Sequence, residues 1–467
     1  MSIKNKLQYI IKKSLPVDMD VNKIVIEIPK DKKNGDYSTN VAFLLTKELK
    51  SSPINIANDI IKNISDDMID RIEVANPGFI NFYINKDYLL NNINVINDMG
   101  KNYGKSDFGK LEKINIEYVS ANPTGTLHIG HGRGAVYGDC LSKIMSFAGY
   151  DVTREYYIND AGNQMYNLGV SIKERYKERC GVEFAIPENG YHGKEIIVIA
   201  ESLYDEYGDS KLDEDIEFFR QKGLDILLDG IKKDLDKFRV NFDVFTSEQS
   251  LYDRGFVENT LNKLKNSGKC YIDEGALWLK TTDLYDEKDR VLVKSDGNYT
   301  YLLPDIAYHS DKFNRGYDRL IDVLGSDHHG YIHRLRSSLE FVGYDSSKID
   351  IRILQMVRLL RNGEEVKLSK RTGKTITLNE LIEDVGVNAA RYFFASKSLD
   401  TQMDFDIDLA KKNSNENPVF YVNYAHARIC SILRNQDYSL KEDYKFITFG
   451  GDGGTYDIGF QSLSGAM

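Results

Sequence analysis

The sequence predicts an α/β protein with a small α+β unit ahead of it and a helical segment behind. Three observations carry this. Residues 114–120 (INIEYVS) form a β-branched run that enters a Pro- and Gly-containing turn and then helical periodicity, the order that opens a nucleotide-binding α/β layer. Strand-like pieces return in GALWLKT, RVLVKS and DRLIDVLG, each followed by turn residues or a helical pattern. Between these, residues 165–250 read as helical and acidic, an insertion or a solvated helical layer. The length of 467 residues exceeds one ordinary core and suggests roughly two to four domains.

In chain order, the first hundred residues open with a helical pattern, and the alternating Ile and Val of KIVIEIPK predict a strand. Turn-rich DKKNGDYSTN follows, then helical stretches over 41–50 and 54–64, and VANPGFINFYI as a strand opened by a Pro-Gly turn. After INIEYVS a helix is expected from about Gly132. From Leu378 the pattern is helical again, through LIEDVGVNAARYFFAS into NPVFYVNYAHARICSILRN. Composition then changes: six glycines fall in the last eighteen residues.

With 41% hydrophobic and 28% charged residues the chain has the composition of a soluble globular protein. No apolar run approaches the roughly 20 residues that span a bilayer, and the Lys-containing N-terminus has no signal-peptide pattern, so a cytoplasmic location and no membrane association are expected. Cys140, Cys180, Cys270 and Cys430 lie far apart without a CxxC pair, which argues against a zinc knuckle and a disulfide framework; they are expected to be reduced and structural. The net charge of −10 counts against a nucleic-acid partner until it is located. Residues 201–250 hold fourteen acids against seven bases, whereas residues 358–374 hold six bases against Glu364 and Glu365. The net figure hides a basic loop.

The strongest motif is PTGTLHIGH, residues 123–131, directly after a predicted strand. His128 and His131 flanking Ile-Gly at a helix start can place two imidazole N–H donors beside a phosphate, while Gly130 lets a nucleotide approach the backbone closely. A pair of histidines in an ordinary turn is the bland alternative. The second motif is Lys367-Leu368-Ser369-Lys370-Arg371-Thr372-Gly373-Lys374, four cations in eight residues, able to neutralise charge on a triphosphate. A solvated charge run is its alternative, and it loses force beside the first motif.

Together HIGH and the KLSKR loop resemble a class I aminoacyl-tRNA synthetase. EYVSANPTGTLHIGHGRGAVYGD, EYYINDAGNQM, RVLVKSDGNYTYLLPDIAYHSDKF, LGSDHHGY, KLSKRTGKTITLNELIEDVGVNAARYFF and NPVFYVNYAHARICSI narrow the resemblance to arginyl-tRNA synthetase, over roughly residues 1–435. Leu368 stands where methionine is commoner, a volume-conserving change. The resemblance implies a Rossmann-like catalytic domain with helical insertions (106–385), an N-terminal α+β tRNA-binding domain (1–105), and the incomplete start of an anticodon-binding helical bundle (386–436). It implies that His128, His131, Lys367 and Lys370 are catalytic, and that Gly130, Gly132, Ser369 and Arg371 bind ATP. Glu117, Asn122, Tyr301, Asp305 and His328 would line an arginine pocket. A guanidinium presents five N–H donors in a planar fork, so carboxylates such as Glu117 and Asp305 with the hydroxyl of Tyr301 suit it; a structural ion pair is the alternative for each acid.

ATP with Mg²⁺, L-arginine and tRNA(Arg) follow as substrates and partners, with no metal site built by the chain itself, and a monomer. His192, His333 and His426 are expected to be structural, while His309 and His329 are left open. Tyr37, Phe79 and Phe82 could stack on an unpaired base, with Phe79 and Phe82 expected in the core. Other readings are a nucleotidylyltransferase that uses HIGH without tRNA, and a weakly active or silent tRNA-binding fragment. The family's bundle is represented by its first helix alone, about 413–435, which implies weakened charging. The remainder, 437–467, is read as a foreign Gly-rich tail, in which KFITFGGDGGTYDIGFQSLSGAM resembles the thiamine-diphosphate motif region of a 2-oxoacid:ferredoxin oxidoreductase β subunit. No thiamine diphosphate is expected despite Gly451-Asp452-Gly453, because that motif needs further ligands downstream, and this foreign stretch is expected to be disordered.

Overall fold

A computed structural model describes residues 3–326, 330–366 and 376–435, and the chain divides into two compact units, Met1–Tyr103 and Gly104–Arg434. The tail motif at 451–453 therefore lies outside the described residues, as do His328, His329 and the loop 367–375.

The smaller unit is an antiparallel sheet of strands β1 (Ile26–Glu27), β2 (Tyr37–Thr39), β3 (Ile69–Ala75) and β4 (Phe79–Ile84), in the order β1-β2-β4-β3. Leu7 and Ile11 of helix Ile3–Ser14 and Ile56, Ala57 and Ile60 of helix Pro53–Ile61 share a core with Ile80, Phe82 and Ile84. Ser52 caps the second of these helices and Pro53 supplies its first turn. VANPGFINFYI is not one strand but the heart of a hairpin, β3 and β4 joined at Asn76-Pro77-Gly78. Gly78 has φ 145°, and a Cβ there would meet Pro53 Cβ at 2.6 Å. KIVIEIPK keeps only two strand residues, because its edge position gives it a single short partner, β2. The expectation that both phenylalanines are core fails for Phe79. Residues three apart on a strand point to opposite faces, so Phe82 is fully buried while Phe79 stays 40% exposed against Phe43.

In the larger unit β5 (Lys113–Glu117), β6 (Asp151–Ile158) and β7 (Val244–Ser247) are followed by a small antiparallel sheet of β8 (Cys270–Asp273), β9 (Ala276–Leu279) and β10 (Arg290–Val293). Then come β11 (Arg319–Gly325) and β12 (Ile349–Leu354). β12-β11-β5-β6-β7 form one five-stranded sheet in which every pair is parallel. β5 sits at its centre, and Ile114, Asn115, Ile116 and Glu117 are all buried, as expected for a strand covered on both faces. The chain travels from β5 outward through β6 and β7, then returns to β11 on the other side of β5. That reversal makes a topological switch point at the carboxyl ends of β5 and β11, where open α/β sheets bind ligands. β13 (Val357–Arg361), β14 (Glu364–Glu365) and β15 (Met403–Asp406) build a further small sheet.

The first crossover is helix Ile129–Phe147, which starts three residues before Gly132, so the histidine motif is the helix start itself. Its Gly138 is a packing necessity, since a Cβ there would lie 2.1 Å from the Tyr118 ring. Gly138→Ala should cost about 1–3 kcal/mol through overpacking, read as a lower denaturation midpoint. The acidic region forms helices Asn163–Arg179, Lys194–Tyr207 and Ile216–Lys237. Their Leu168, Ile172, Ile199, Leu203, Leu224 and Leu227 join the main core, so the acids form the outer face of a packed layer. The helix expected at 413–435 begins instead at Pro418: the Asn417 side chain accepts from Val419 N and donates to the Ala410 and Lys412 carbonyls, which sets the start. Among the described residues no helix is long and apolar enough to cross a membrane.

Candidate active site

At the carboxyl end of β5 the chain turns through 118–127 into the helix whose N-cap is His128. His128 Nδ1 accepts from Gly130 N at 3.1 Å, and His131 Nδ1 accepts from His128 N at 3.2 Å, a reciprocal capping box made of imidazoles. Both Nδ1 atoms are thus occupied as acceptors, so each neutral ring carries its proton on Nε2. The rings stack at 3.7 Å between centroids. Burial lowers both pKa values, and for His131, next to His128, the drop is to about 3. Two imidazole N–H donors at a helix N-terminus, both shifted toward the neutral form, suit an anionic ligand.

The next residues after His131 lock this helix in place. Gly132 packs so closely that a Cβ would meet Leu378 Cδ1 at 2.8 Å. Arg133, only 1% exposed, donates Nη1 to the Gln355 carbonyl at 2.8 Å and Nη2 to the Ser398 and Thr401 carbonyls at 2.7 and 3.0 Å. One guanidinium thus ties the helix to two other stretches of chain, at Gln355 and at the turn Ser398–Thr401.

Beneath the switch point lies a buried charge network that sequence reading missed. Lys312, fully buried on helix Leu302–Asn314, donates to Glu117 Oε2 at 2.6 Å and Asp322 Oδ1 at 2.9 Å. His309, one turn back, places Nδ1 2.7 Å from the Asp305 carbonyl and Nε2 2.8 Å from Asp322 Oδ2. Both neighbours are acceptors, so both ring nitrogens donate and the ring is an imidazolium. Burial opposes that charge, but Asp322 outweighs burial and raises the His309 pKa. The same balance holds Asp322 below the usual carboxylate range: desolvation would raise it, and Lys312 and His309 overcome that. Glu117, His309 and Asp322 have the spacing of metal ligands, but Lys312 Nζ already bonds two of the three, so the cluster is a neutral ion-pair network, two acids against two bases. Glu155 continues it, accepting from Arg315, Thr246, Tyr308 and Asn115.

The other residues proposed from sequence surround the same edge of the sheet. Glu117 ends β5 and accepts from Lys312 and from Ser120 Oγ at 2.9 Å, so an ion pair within the chain is its resting partner. Asn122 is exposed and donates to Gln164 Oε1 at 3.2 Å. Tyr301 precedes the first turn of helix Leu302–Asn314 and is 72% exposed. Asp305 lies in that turn and accepts from the Tyr331 hydroxyl. Beside Asp305 is an acid that no motif flagged. Glu248 follows β7 as the first residue of helix Glu248–Asp253, capped by Ser247, and is 6% exposed. Desolvation, with Asp305 and Asp160 nearby, pushes its pKa up to about 7. An acid directly after a strand's carboxyl end was its only sequence signal. Lys367, Ser369, Lys370, Arg371 and His328 lie outside the described residues.

A doubly wound parallel sheet whose central strand leads into an imidazole-capped HIGH helix defines a class I aminoacyl-tRNA synthetase, and residues 93–429 match the family model for tRNA synthetases class I (R), catalytic domain. Residues 1–84 match the arginyl tRNA synthetase N terminal domain. The chain is 50% identical over 431 residues to an arginine–tRNA ligase of Bacillus subtilis, covering 91% of this chain and 78% of that protein. One from Shouchella clausii is 52% identical over the same shares. Among solved structures, a putative arginyl tRNA synthetase from Campylobacter jejuni superposes with a TM-score of 0.71 at 38% identity, covering 80% of this chain and 82% of that one. The Thermus thermophilus arginyl-tRNA synthetase, at 19% identity and TM-score 0.65 over 99% of this chain and 86% of that one, shares the fold. The chain belongs to the arginyl-tRNA synthetases.

Proposed function

We propose that the chain activates L-arginine with ATP to arginyl-adenylate and transfers the arginyl group to the 3′-terminal adenosine of tRNA(Arg). The observation that carries this reading is the pairing, at one sheet edge, of a neutral imidazole pair suited to phosphate with buried acids suited to a guanidinium. The arginine carboxylate attacks the α-phosphorus and pyrophosphate leaves, so the enzyme's task is positioning and charge neutralisation. His128 and His131 donate Nε2–H to the phosphate chain and Gly130 leaves room for the nucleotide, whereas Gly132, expected from the sequence to bind ATP, packs against Leu378 and Phe394. Asp305 and Glu248 take the guanidinium, with Tyr301 closing over it and Asn122 and Glu117 near the α-carbon end.

Roles for Lys367, Lys370, Ser369 and Arg371 on the triphosphate, and for His328 in the pocket, rest on the sequence resemblance. Mg²⁺ accompanying ATP would supply charge neutralisation for the leaving pyrophosphate, beside the imidazole donors of His128 and His131. We assign 1–105 to tRNA contact, 106–385 to catalysis and 386–436 to the start of the anticodon-binding bundle, in a cytoplasmic monomer. Pyrophosphate exchange tests the reading: with tRNA(Arg) present, arginine alone among the amino acids should drive exchange, and ATP with arginine should raise the melting temperature. Exchange with no amino acid and no thermal shift would sink it.

A further inference from the structure

We infer that the buried hydroxyl of Tyr157 is a positioning group for Glu248: it donates to that carboxylate when the acid is ionised to meet a guanidinium, and so favours a cationic side chain over a neutral one of the same shape. This rests on the arginine pocket proposed above. Tyr157 is the last residue but one of β6 and pairs with Thr246, while Ile158 pairs with Ser247. The parallel register therefore brings Tyr157 to the strand end from which Glu248 departs. Its ring centroid lies 4.2 Å from that of Tyr308, and it shares a core with Leu251, from the helix that carries Glu248, and Leu303, from the helix that carries Asp305. Its N–H donates to Ser120 Oγ at 3.1 Å, which donates in turn to Glu117 Oε1, so the backbone that aims the ring is fixed beside the end of β5.

The hydroxyl is the anomaly. Tyr157 is 8% exposed, and its oxygen has no hydrogen-bond partner among the described residues. Three other buried tyrosines of this unit each find one: Tyr118 donates to the Asn241 carbonyl, Tyr156 to the Ala121 carbonyl and Tyr308 to Glu155. Phenylalanine would fill the space of Tyr157 without leaving a buried donor unmade, so space-filling does not account for the oxygen. The acids around it narrow what it serves. Asp160 accepts from Ser247 Oγ at 2.7 Å and Gln249 N at 2.9 Å, Glu117 from Lys312, and Asp305 from Tyr331. That leaves Glu248. Desolvation and the charges of Glu248 and Asp305 hold the phenol well above its ordinary range, so it stays a donor. Tyr252, on the helix of Glu248 itself, is likewise kept un-ionised by burial. Desolvation and Asp305 raise the Glu248 pKa, and the Tyr157 hydroxyl pulls it back, near enough to act without closing a bond of ordinary geometry in this structure.

The test compares the full chain with Tyr157→Phe, measuring arginine affinity by calorimetry from about pH 6 to pH 9. Losing a donor to the ionised acid raises the Glu248 pKa, so the midpoint of the affinity profile should move up by about one pH unit. The variant should then bind arginine about tenfold more weakly at pH 6 and within about twofold of wild type at pH 9. Citrulline, the neutral analogue of the same shape, needs no ionised partner, and its affinity at pH 6, read by competition with arginine, should be equal in both chains. Added to Glu248→Gln, Tyr157→Phe should shift no midpoint. A wild-type profile in Tyr157→Phe, a shift that persists in the Glu248→Gln background, or a loss equal at pH 6 and pH 9 and shared by citrulline would overturn the inference and leave the pocket standing. Arginine affinity that ignores pH in the wild-type chain would overturn it together with the placing of the guanidinium on Glu248.

Discussion

Arginine should bind about tenfold more tightly at pH 8 than at pH 6, with close to one proton released per arginine bound on the acid side. Glu248 is the source. Its pKa of about 7 means that below neutrality the unliganded pocket holds a carboxylic acid beside the Asp305 carboxylate, and a guanidinium must expel that proton to pair with both oxygens. The direction follows from competition: a cationic ligand favours the ionised acid, so affinity falls as pH drops through 7 and levels off above it. Calorimetry in two buffers of different ionisation heat would count the proton. Glu248→Gln should flatten the pH profile. Asp305→Asn should weaken arginine by about 2–5 kcal/mol and, by removing one cause of the raised pKa, move the remaining pH dependence to lower pH. A pH-independent affinity in the wild-type chain would place the guanidinium elsewhere.

Lys312→Met should destabilise the chain by about 3–5 kcal/mol, the usual consequence of breaking a buried ion pair on one side. Methionine fits the volume but leaves Glu117 and Asp322 facing each other in a buried site with only His309 to offset them. The sign of the pH effect is fixed by Asp322. Its pKa is lowered in the folded chain, so its contribution is present above the unfolded carboxylate value and fades as pH falls below it. The gap between wild type and Lys312→Met, measured by urea unfolding, should narrow toward acid pH, and Asp322→Asn added to Lys312→Met should recover part of the loss. Equal stability of Lys312→Met and wild type would mean that water reaches the network.

Where the sequence was legible, one element carried its own signal. INIEYVS carries Ile114, Ile116 and Val119 in an extended pattern, enough for a strand to be recognised, and HIGH follows it after a Pro- and Gly-containing turn. What was not legible depends on distant partners. Lys312 lies 195 positions from Glu117, and nothing in LLPDIAYHSDKF says that its lysine turns inward. Glu117 therefore read first as a pocket acid, with an ion pair as the alternative and nothing to name its partner. Glu248 sits in an acid-rich stretch most of whose acids are exposed, and only the fold places it near Asp305. The helix start at Ile129 was misplaced because histidine is an uncommon cap, and its capping role shows only in the hydrogen bonds. Phe79 failed on parity, a property of the hairpin register that the loose strand reading of PGFINF did not fix.

The grip of Arg133 on three carbonyls has a consequence for how the enzyme can vary. Every residue type possesses a backbone carbonyl, so the contact makes no demand on the side chains at 355, 398 and 401. All of the chemical requirement falls on one position, where no other side chain offers a planar fork of donors with that reach. The joint that fixes the imidazole-capped helix is thus open to sequence drift at its three accepting positions and closed at the donating one.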